Sequence, residues 1–361
     1  MLPPSWSDLT GRMGNIAHPA MMPDTAIFRR ISSVCHETLA WVANPATGSG
    51  PQSKGNLMTK HEAFSWEFLE PAAPAQPDGP VFTYSAPHQS WLRRTMIRSV
   101  ERLSGRARFE RIYRDWQQTP RDLGETVFTS AIKALGVKTD VSAQDMARIP
   151  ATGPLLVVAN HPYGIVDGLL IGHLISTRRS DVKLICHSLL CQPVEARDVL
   201  LPIDFGTGPD ARRTSAETRK KAVEWLDQGH ALIIFPAGGI STVPTPGEKV
   251  AADLVWHPFI ARLARRAGVK TLAMYVHGQN SRLFQMISHV SYPLRLALIF
   301  HETKRVLRRP VKVGIADPVG LAEAEDKSDL VATLRARTFA MAPEGGPKAE
   351  AVFEFPKHIN L

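Results

Sequence analysis

His161 and Asp167 flank a short run, Asn160-His161-Pro162-Tyr163-Gly164-Ile165-Val166-Asp167-Gly168, with five residues between the imidazole and the carboxylate. A histidine and an aspartate held together form a general base with its orienter, and the chemistry such a pair does is proton abstraction. A plainer arrangement fits the same residues, with Asp167 capping a helix and His161 a solvated loop histidine. The two readings stand side by side at this point.

Five apolar residues, 155–159, precede the pair. They are too few for an ordinary helix and suit a strand buried on both faces. Pro162 and Gly164 break any regular element after it. Leu169, Leu170, Leu174 and Ile175 then recur with helical spacing, and Asp167 is placed as the N-cap of a helix over 168–176. The pair therefore sits at the C-terminal edge of a strand, where sites in open α/β sheets lie. Further apolar runs predict strands over 182–186, 200–203, 231–235, 271–276 and 311–315, and helical patterns run over 215–227, 256–267 and 294–307. Gly229 and Gly268 follow two of these helices as C′ residues. Strands alternating with helices argue for an α/β fold, a mostly parallel sheet flanked by helices. The domain plan is a Pro-rich, largely disordered leader at 1–88, a basic helical element at 89–150, the α/β domain at 151–320 and a C-terminal extension at 321–361, exposed from Pro343 onward.

Three more short blocks follow in order: Leu201-Pro202-Ile203-Asp204-Phe205, then Phe235-Pro236-Ala237-Gly238-Gly239-Ile240-Ser241, then the strand at 271–276 with His277-Gly278-Gln279-Asn280-Ser281 after it. Together with N-H-P-Y-G-I-V-D-G, this set resembles the motifs of the glycerolipid (lysophospholipid) acyltransferases of the 1-acylglycerol-3-phosphate acyltransferase type, over about residues 95–320. Four residues usually separate the His and Asp in that superfamily; the gap of five is similar to a branch named for haemolysins.

The resemblance implies transfer of a fatty acyl group from a thioester, acyl-CoA or acyl-ACP, to the hydroxyl of a lysolipid in phospholipid or aminolipid synthesis. It makes His161 the base and Asp167 its partner, with direct attack, no acyl-enzyme, no cofactor and no metal. Asn160 and Gly164 belong to the same motif. Pro236, Gly238, Gly239 and Ser241 are implied to position the acceptor or support an oxyanion, since glycines let backbone N–H groups approach a ligand closely. Asn280 and Ser281 either line the site or cap the helix that starts near Arg282. The family's third block commonly reads F-P-E-G-T-R-S, so Ala237 and Ile240 replace a Glu and an Arg, and Phe205 stands where an Arg is common. Either other cations substitute, Arg212, Arg213 and Lys249 being the nearest, or the acceptor's head is not the usual glycerol phosphate. Arg212 and Arg213 also fit an ordinary solvated loop.

Composition sets the wider frame. A chain of 361 residues can bury a large core, and 43 Lys and Arg against 34 Asp and Glu leave it at +9, a surface suited to anionic partners. Between Ser90 and Trp116 stand Arg93, Arg94, Arg98, Arg102, Arg106, Arg108, Arg111 and Arg114, interleaved with apolar residues at helical spacing, with Gly105 a dividing point. Such a basic amphipathic helix reads either as an element docking on an anionic membrane surface or as a helix packed on the core with solvated arginines. The leader holds 11 of the 28 prolines, which argues for extended chain, apart from a short helix over 25–42. Cys35, Cys186 and Cys191 make no disulfide framework or metal-ligand pattern, in keeping with a reducing cytosol. His173, His187, His230, His257 and His289 have no paired ligand spacing. No secretory signal or apolar span is evident, so the expected place is the cytoplasm, peripheral on the inner face of the cell membrane. The partners expected are the anionic membrane surface, the lysolipid acceptor and an acyl carrier protein as alternative donor.

Three rivals remain. A serine hydrolase needs a G-x-S-x-G elbow, which Ser241 does not have. A catalytically inactive lipid-binding peripheral membrane protein fits the missing charges. A nucleic-acid binder rests on charge alone, with no reading motif, so no nucleic acid is expected.

Overall fold

The computed structural model describes residues 83–85, 89–204, 208–321, 330–356 and 359. The chain divides after Lys60, and all described residues belong to the second unit. The helix expected over 25–42 and nearly all of the leader lie outside them, as does Phe205.

Among the described residues eight strands form one sheet: β1 (Thr139–Asp140), β2 (Leu155–Ala159), β3 (Val182–His187), β4 (Leu200–Ile203), β5 (Ala231–Ile234), β6 (Lys270–Val276), β7 (Val311–Ile315) and β8 (Val319–Gly320). Their order is β1-β7-β6-β2-β5-β3-β4, with β8 pairing to β6. β2 runs parallel to both β5 and β6, and β3 parallel to β5 and β4. β7 and β8 are antiparallel to β6. The architecture is thus the expected α/β one, a mostly parallel sheet flanked by helices.

β2 is central, and all five of its residues are buried. Leu155, Val157 and Ala159 join one apolar cluster while Leu156 and Val158 join the other. That is the signature of a strand covered on both faces, and it explains an unbroken apolar run in place of alternation. The first cluster is roofed by α3 (Val127–Leu135) and α5 (Ile165–Ser176), the second by α6 (Pro209–Asp227), α7 (Phe259–Ala264) and α11 (Leu330–Phe339). Gly172 lets α3 and α5 come close: a Cβ there would lie 2.4 Å from the Phe128 ring.

The basic helical region is two helices, α1 (Trp91–Ser104) and α2 (Arg106–Gln118), divided at Gly105 with φ 98°. Ile97, Val100 and Phe109 face the core, while Arg93, Arg98, Arg102, Arg108, Arg111 and Arg114 are exposed. The buried carboxylate of Glu101 accepts the Tyr84 N–H at 2.7 Å, the Thr83 hydroxyl at 2.9 Å and the Arg106 guanidinium at 2.9 Å. Among the described residues no helix is long and apolar enough to cross a membrane.

Several boundaries differ from the expected ones. The segment 294–307 is two helices, α9 (Tyr292–Ala297) and α10 (Ile299–Val306), and the described residues also form α8 (Arg282–Ser288) and the short α4 (Ala143–Ala147). The region from Pro343 onward is not an exposed tail. Phe353 is fully buried, and its N–H donates to the Asp253 carbonyl at 3.0 Å. Two aromatics, Phe353 and Phe355, give this segment enough apolar surface to dock.

Candidate active site

The loop after β2 is held by its own backbone needs. Asp167 is not the N-cap of α5; Gly164 is, at φ 76° and ψ −121°, and Asp167 sits one turn inside. From there its Oδ2 reaches back to accept the N–H of Tyr163 at 2.8 Å and of Gly164 at 3.0 Å. This is the reciprocal half of a capping box, in which a carboxylate at the third helical position satisfies orphan donors at the helix start. The same Oδ2 lies 3.0 Å from Nδ1 of His161, close enough for an ion pair though not aligned as a linear hydrogen bond. Asp167 is fully buried. Desolvation pushes its carboxyl above the usual range, and His161 with the two N–H groups pulls the other way.

His161 keeps 17% of its side chain exposed and stacks on Phe235 with ring centroids 4.2 Å apart. Phe235 opens the third block, so that block sets the plane of the imidazole. The two loops meet again in the backbone: Ser241 N–H donates to the His161 carbonyl at 2.8 Å. A Cβ on Gly164 would lie 2.8 Å from Ile240 Cδ1, so a residue other than glycine would push the loops apart. Gly238, at φ 64°, turns the block back through a Gly238 N–H to Phe235 carbonyl bond at 3.0 Å. Pro236 accepts from the His257 N–H at 2.9 Å, and Gly239 packs on Leu254. The Ser241 hydroxyl is buried and donates to Asp253 Oδ1.

On the other side of β2 the fourth block closes in. Tyr163 lies across Gly278, its hydroxyl donating to the His277 carbonyl at 3.2 Å. Asn160 is buried and bonds the Val276 backbone twice, donating to its carbonyl at 2.9 Å and accepting its N–H at 2.7 Å. That side chain extends the β2–β6 ladder and is occupied there. Ser281 caps α8, accepting the Phe284 N–H at 3.2 Å, and its hydroxyl donates to the buried Glu302 at 2.5 Å. Asn280 is buried, and its amide has no hydrogen-bond partner among the described residues.

The candidate cations separate. Arg212 and Arg213 lie near the start of α6, after β4, which stands three strands from β2. Arg213 is exposed and pairs with Asp210 at 3.1 Å. Lys249 is exposed on a loop bound to the fourth block, where Gln279 accepts the Ala251 N–H at 2.9 Å and donates to the Lys249 carbonyl at 2.7 Å. The scattered histidines are engaged in the fold: His173 with Thr129, His230 with Asp181, and His289 with the Val243 carbonyl, each at 3.0 Å.

Sequence reasoning missed Asp253, Trp256, Arg295 and Arg335, all buried around the third block. It also missed an apolar chamber of about 180 Å³, walled by Phe109 and Ile112 of α2, Phe128 and Ala131 of α3, and Ile165 and Leu169 of α5. Ile165 and Leu169 bring this chamber within a helical turn of Asp167.

A model of a family described as acyltransferase matches residues 84–305. No curated protein matches the chain. Among solved structures, the crystal structure of the 1-acyl-sn-glycerophosphate (LPA) acyltransferase PlsC from Thermotoga maritima is similar at 18% identity, over 67% of this chain and 76% of that one, with a TM-score of 0.33.

Proposed function

The chain belongs to the acyltransferase family that its residues 84–305 match, and we propose that it moves a fatty acyl group from a thioester, acyl-CoA or acyl-ACP, to the hydroxyl of a lysolipid. The observation that carries this reading is the 3.0 Å contact between His161 Nδ1 and a fully buried Asp167, set beside an apolar chamber. With Nδ1 turned to the carboxylate, Nε2 is the nitrogen left for the acceptor. It takes the hydroxyl proton as the oxygen attacks the thioester carbonyl. The tetrahedral intermediate collapses with loss of the thiol, which receives the proton back from the imidazolium. The acyl chain lies in the chamber, where each buried methylene is worth about 0.8 kcal/mol. Gly238 and Gly239 bring backbone close to the reacting centre, and the Asn280 amide is kept for the acceptor.

The same proposal puts the protein peripherally on the cytoplasmic face of the membrane. Trp91 and Leu92 are 74% and 71% exposed at the start of α1, beside Arg93, Arg94 and Arg98. An apolar tip ringed by cations suits an anionic lipid surface.

A purified-protein assay with a labelled acyl thioester and a panel of lysolipids tests the reaction. His161→Ala is expected to lose roughly 10²–10⁴-fold in rate while remaining folded. A variant within tenfold of wild type removes His161 as the base.

A further inference from the structure

Both backbone ends of His161 are held from outside its own loop. Its N–H points at Asp253 Oδ1 at 3.4 Å, and its carbonyl accepts the Ser241 N–H at 2.8 Å. The Ser241 N–H and the Ile240 carbonyl belong to one peptide unit. That carbonyl accepts from Nη2 of Arg295 at 2.5 Å, and Nη1 of Arg295 donates to the Thr242 hydroxyl at 2.8 Å. A chain of hydrogen bonds therefore runs from the guanidinium through the Ile240–Ser241 peptide to the His161 carbonyl.

Arg295 is an expensive residue in this place. It is 2% exposed, forms no ion pair among the described residues, and is stacked among the rings of Phe284, Phe353 and Phe355 at 5.0–5.8 Å. Burial lowers its guanidinium to about 10, which still leaves it charged at neutral pH. An apolar side chain of similar volume would pack there without the desolvation cost of a buried charge. A cation that bonds a peptide carbonyl strengthens the N–H donor at the other end of that peptide, because successive hydrogen bonds polarise one another. We propose that Arg295 is a positioning residue for acyl transfer: it fixes the Ile240–Thr242 turn and, through the Ser241 N–H, the register of His161 against Asp167. The third block carries no cation of its own, so its anchor comes from α9 and is covered by the C-terminal segment. Arg335 serves the same segment, donating to the carbonyls of Leu254 at 2.7 Å and Ala351 at 2.7 Å.

The inference rests on the acyl-transfer reading for its kinetic arm only. In the full chain, Arg295→Met is expected to keep or raise Tm, to lower kcat by roughly 10²-fold as a displaced base does, and to leave KM within about threefold. Arg295→Lys, which retains the charge without the fork, should restore kcat to within about tenfold of wild type. Spectra of ¹⁵N-histidine-labelled protein supply a readout independent of turnover: the His161 resonance, assigned by its loss in His161→Ala, should move in Arg295→Met and stay in place in Arg266→Met, a control on an exposed ion pair with Asp227. If Arg295→Met does not fold, Thr242→Val removes one acceptor of the guanidinium and should still shift that resonance and reduce kcat several-fold. A folded Arg295→Met or Thr242→Val with wild-type kcat and an unmoved His161 resonance overturns the proposal. A wild-type protein that acylates no lysolipid would remove the reaction, and the His161 resonance alone would then decide the positioning role.

Discussion

Asp167 Oδ2 touches His161 Nδ1 at 3.0 Å because the carboxylate is recruited first by the helix start. The Tyr163 and Gly164 N–H groups aim it back over the loop, and the imidazole occupies the remaining direction. Five residues separate the pair in sequence, and with Asp167 a turn inside α5 its carboxylate still reaches the imidazole. Asp167→Asn keeps the shape and one acceptor but loses the charge. Its kcat should fall by roughly 10–10²-fold, less than the loss in His161→Ala. Side-by-side kcat values check the order, and an Asn variant as slow as the alanine variant would show that the carboxylate's charge matters as much as the base.

Where local pattern decides structure, the sequence was readable. The apolar runs of β2, β4 and β7 have the expected limits because each strand's burial is written in consecutive residues. The start of α5 was not readable. Its N-cap is a glycine at positive φ that leaves room for Ile240, 76 residues away, and Asp167 looks the same at N-cap or one turn in. The break at Leu298 between α9 and α10 is hidden because the apolar periodicity passes through it. The support of the site was least visible of all. Asp253 accepts from Ser241, Trp256 and His161, and Arg295 reaches Ile240, through contacts that only the folded sheet brings together. Charged side chains buried at long sequence separation carry no periodic signal, and composition counts them as surface.

The chamber behind α5 predicts chain-length selection. Ala131 lines it from α3, so Ala131→Phe shortens the space without touching the His161 loop. Denying burial to two methylenes costs about 1.6 kcal/mol, or roughly 15-fold. The variant should therefore lose about that factor in kcat/KM on its longest good donor while keeping its rate on donors two to four carbons shorter. Equal loss on all donors would place the acyl chain elsewhere.

α1 is expected to govern attachment to lipid. Each arginine near an anionic surface contributes about 1 kcal/mol, weakening with salt. Changing Arg93, Arg94 and Arg98 to Gln should release the protein from vesicles rich in anionic lipid and leave Tm unchanged, since Arg93 and Arg98 are exposed and Arg94 only half-buried. Unaltered co-sedimentation would assign these arginines to a solvated face.

Acid stability should depend on His187. Burial at the end of β3 lowers its imidazole to about 4, against a partial pull upward from Asp204. The folded state thus prefers the neutral ring while the unfolded chain protonates near the ordinary value of about 6.5. The contribution is fully present above that pH and is lost as pH falls from about 6.5 to about 4, at up to about 1.4 kcal/mol per pH unit. His173, His257 and His277 are lowered by burial in the same sense. Urea unfolding across this window should give a shallower pH slope for His187→Gln than for wild type. Identical slopes would mean that His187 titrates normally in the fold.

The acceptor's head is the point on which the third block's missing charges bear most directly. Lysophosphatidic acid carries nearly two negative charges at neutral pH, and holding them calls for cations or helix N-termini at the site. The third block offers none: Ala237 is buried, and Ile240 is spent on packing against Gly164. Arg212 and Arg213 stand beyond β4, and Arg213 is already paired with Asp210. Lys249 alone of the three candidates rides on a loop bonded to the fourth block. A lysolipid with a different head, such as a lyso-aminolipid, is therefore expected to be acylated at least as well as lysophosphatidic acid. Comparing kcat/KM for the two acceptors decides the matter, and a hundredfold preference for lysophosphatidic acid, about 2.7 kcal/mol of transition-state binding, refutes it. In that event the missing charge has a source that can be located: a sharp rise in KM for lysophosphatidic acid in Lys249→Ala points to the fourth-block loop, and the same rise in the Arg212→Ala, Arg213→Ala double variant points to α6.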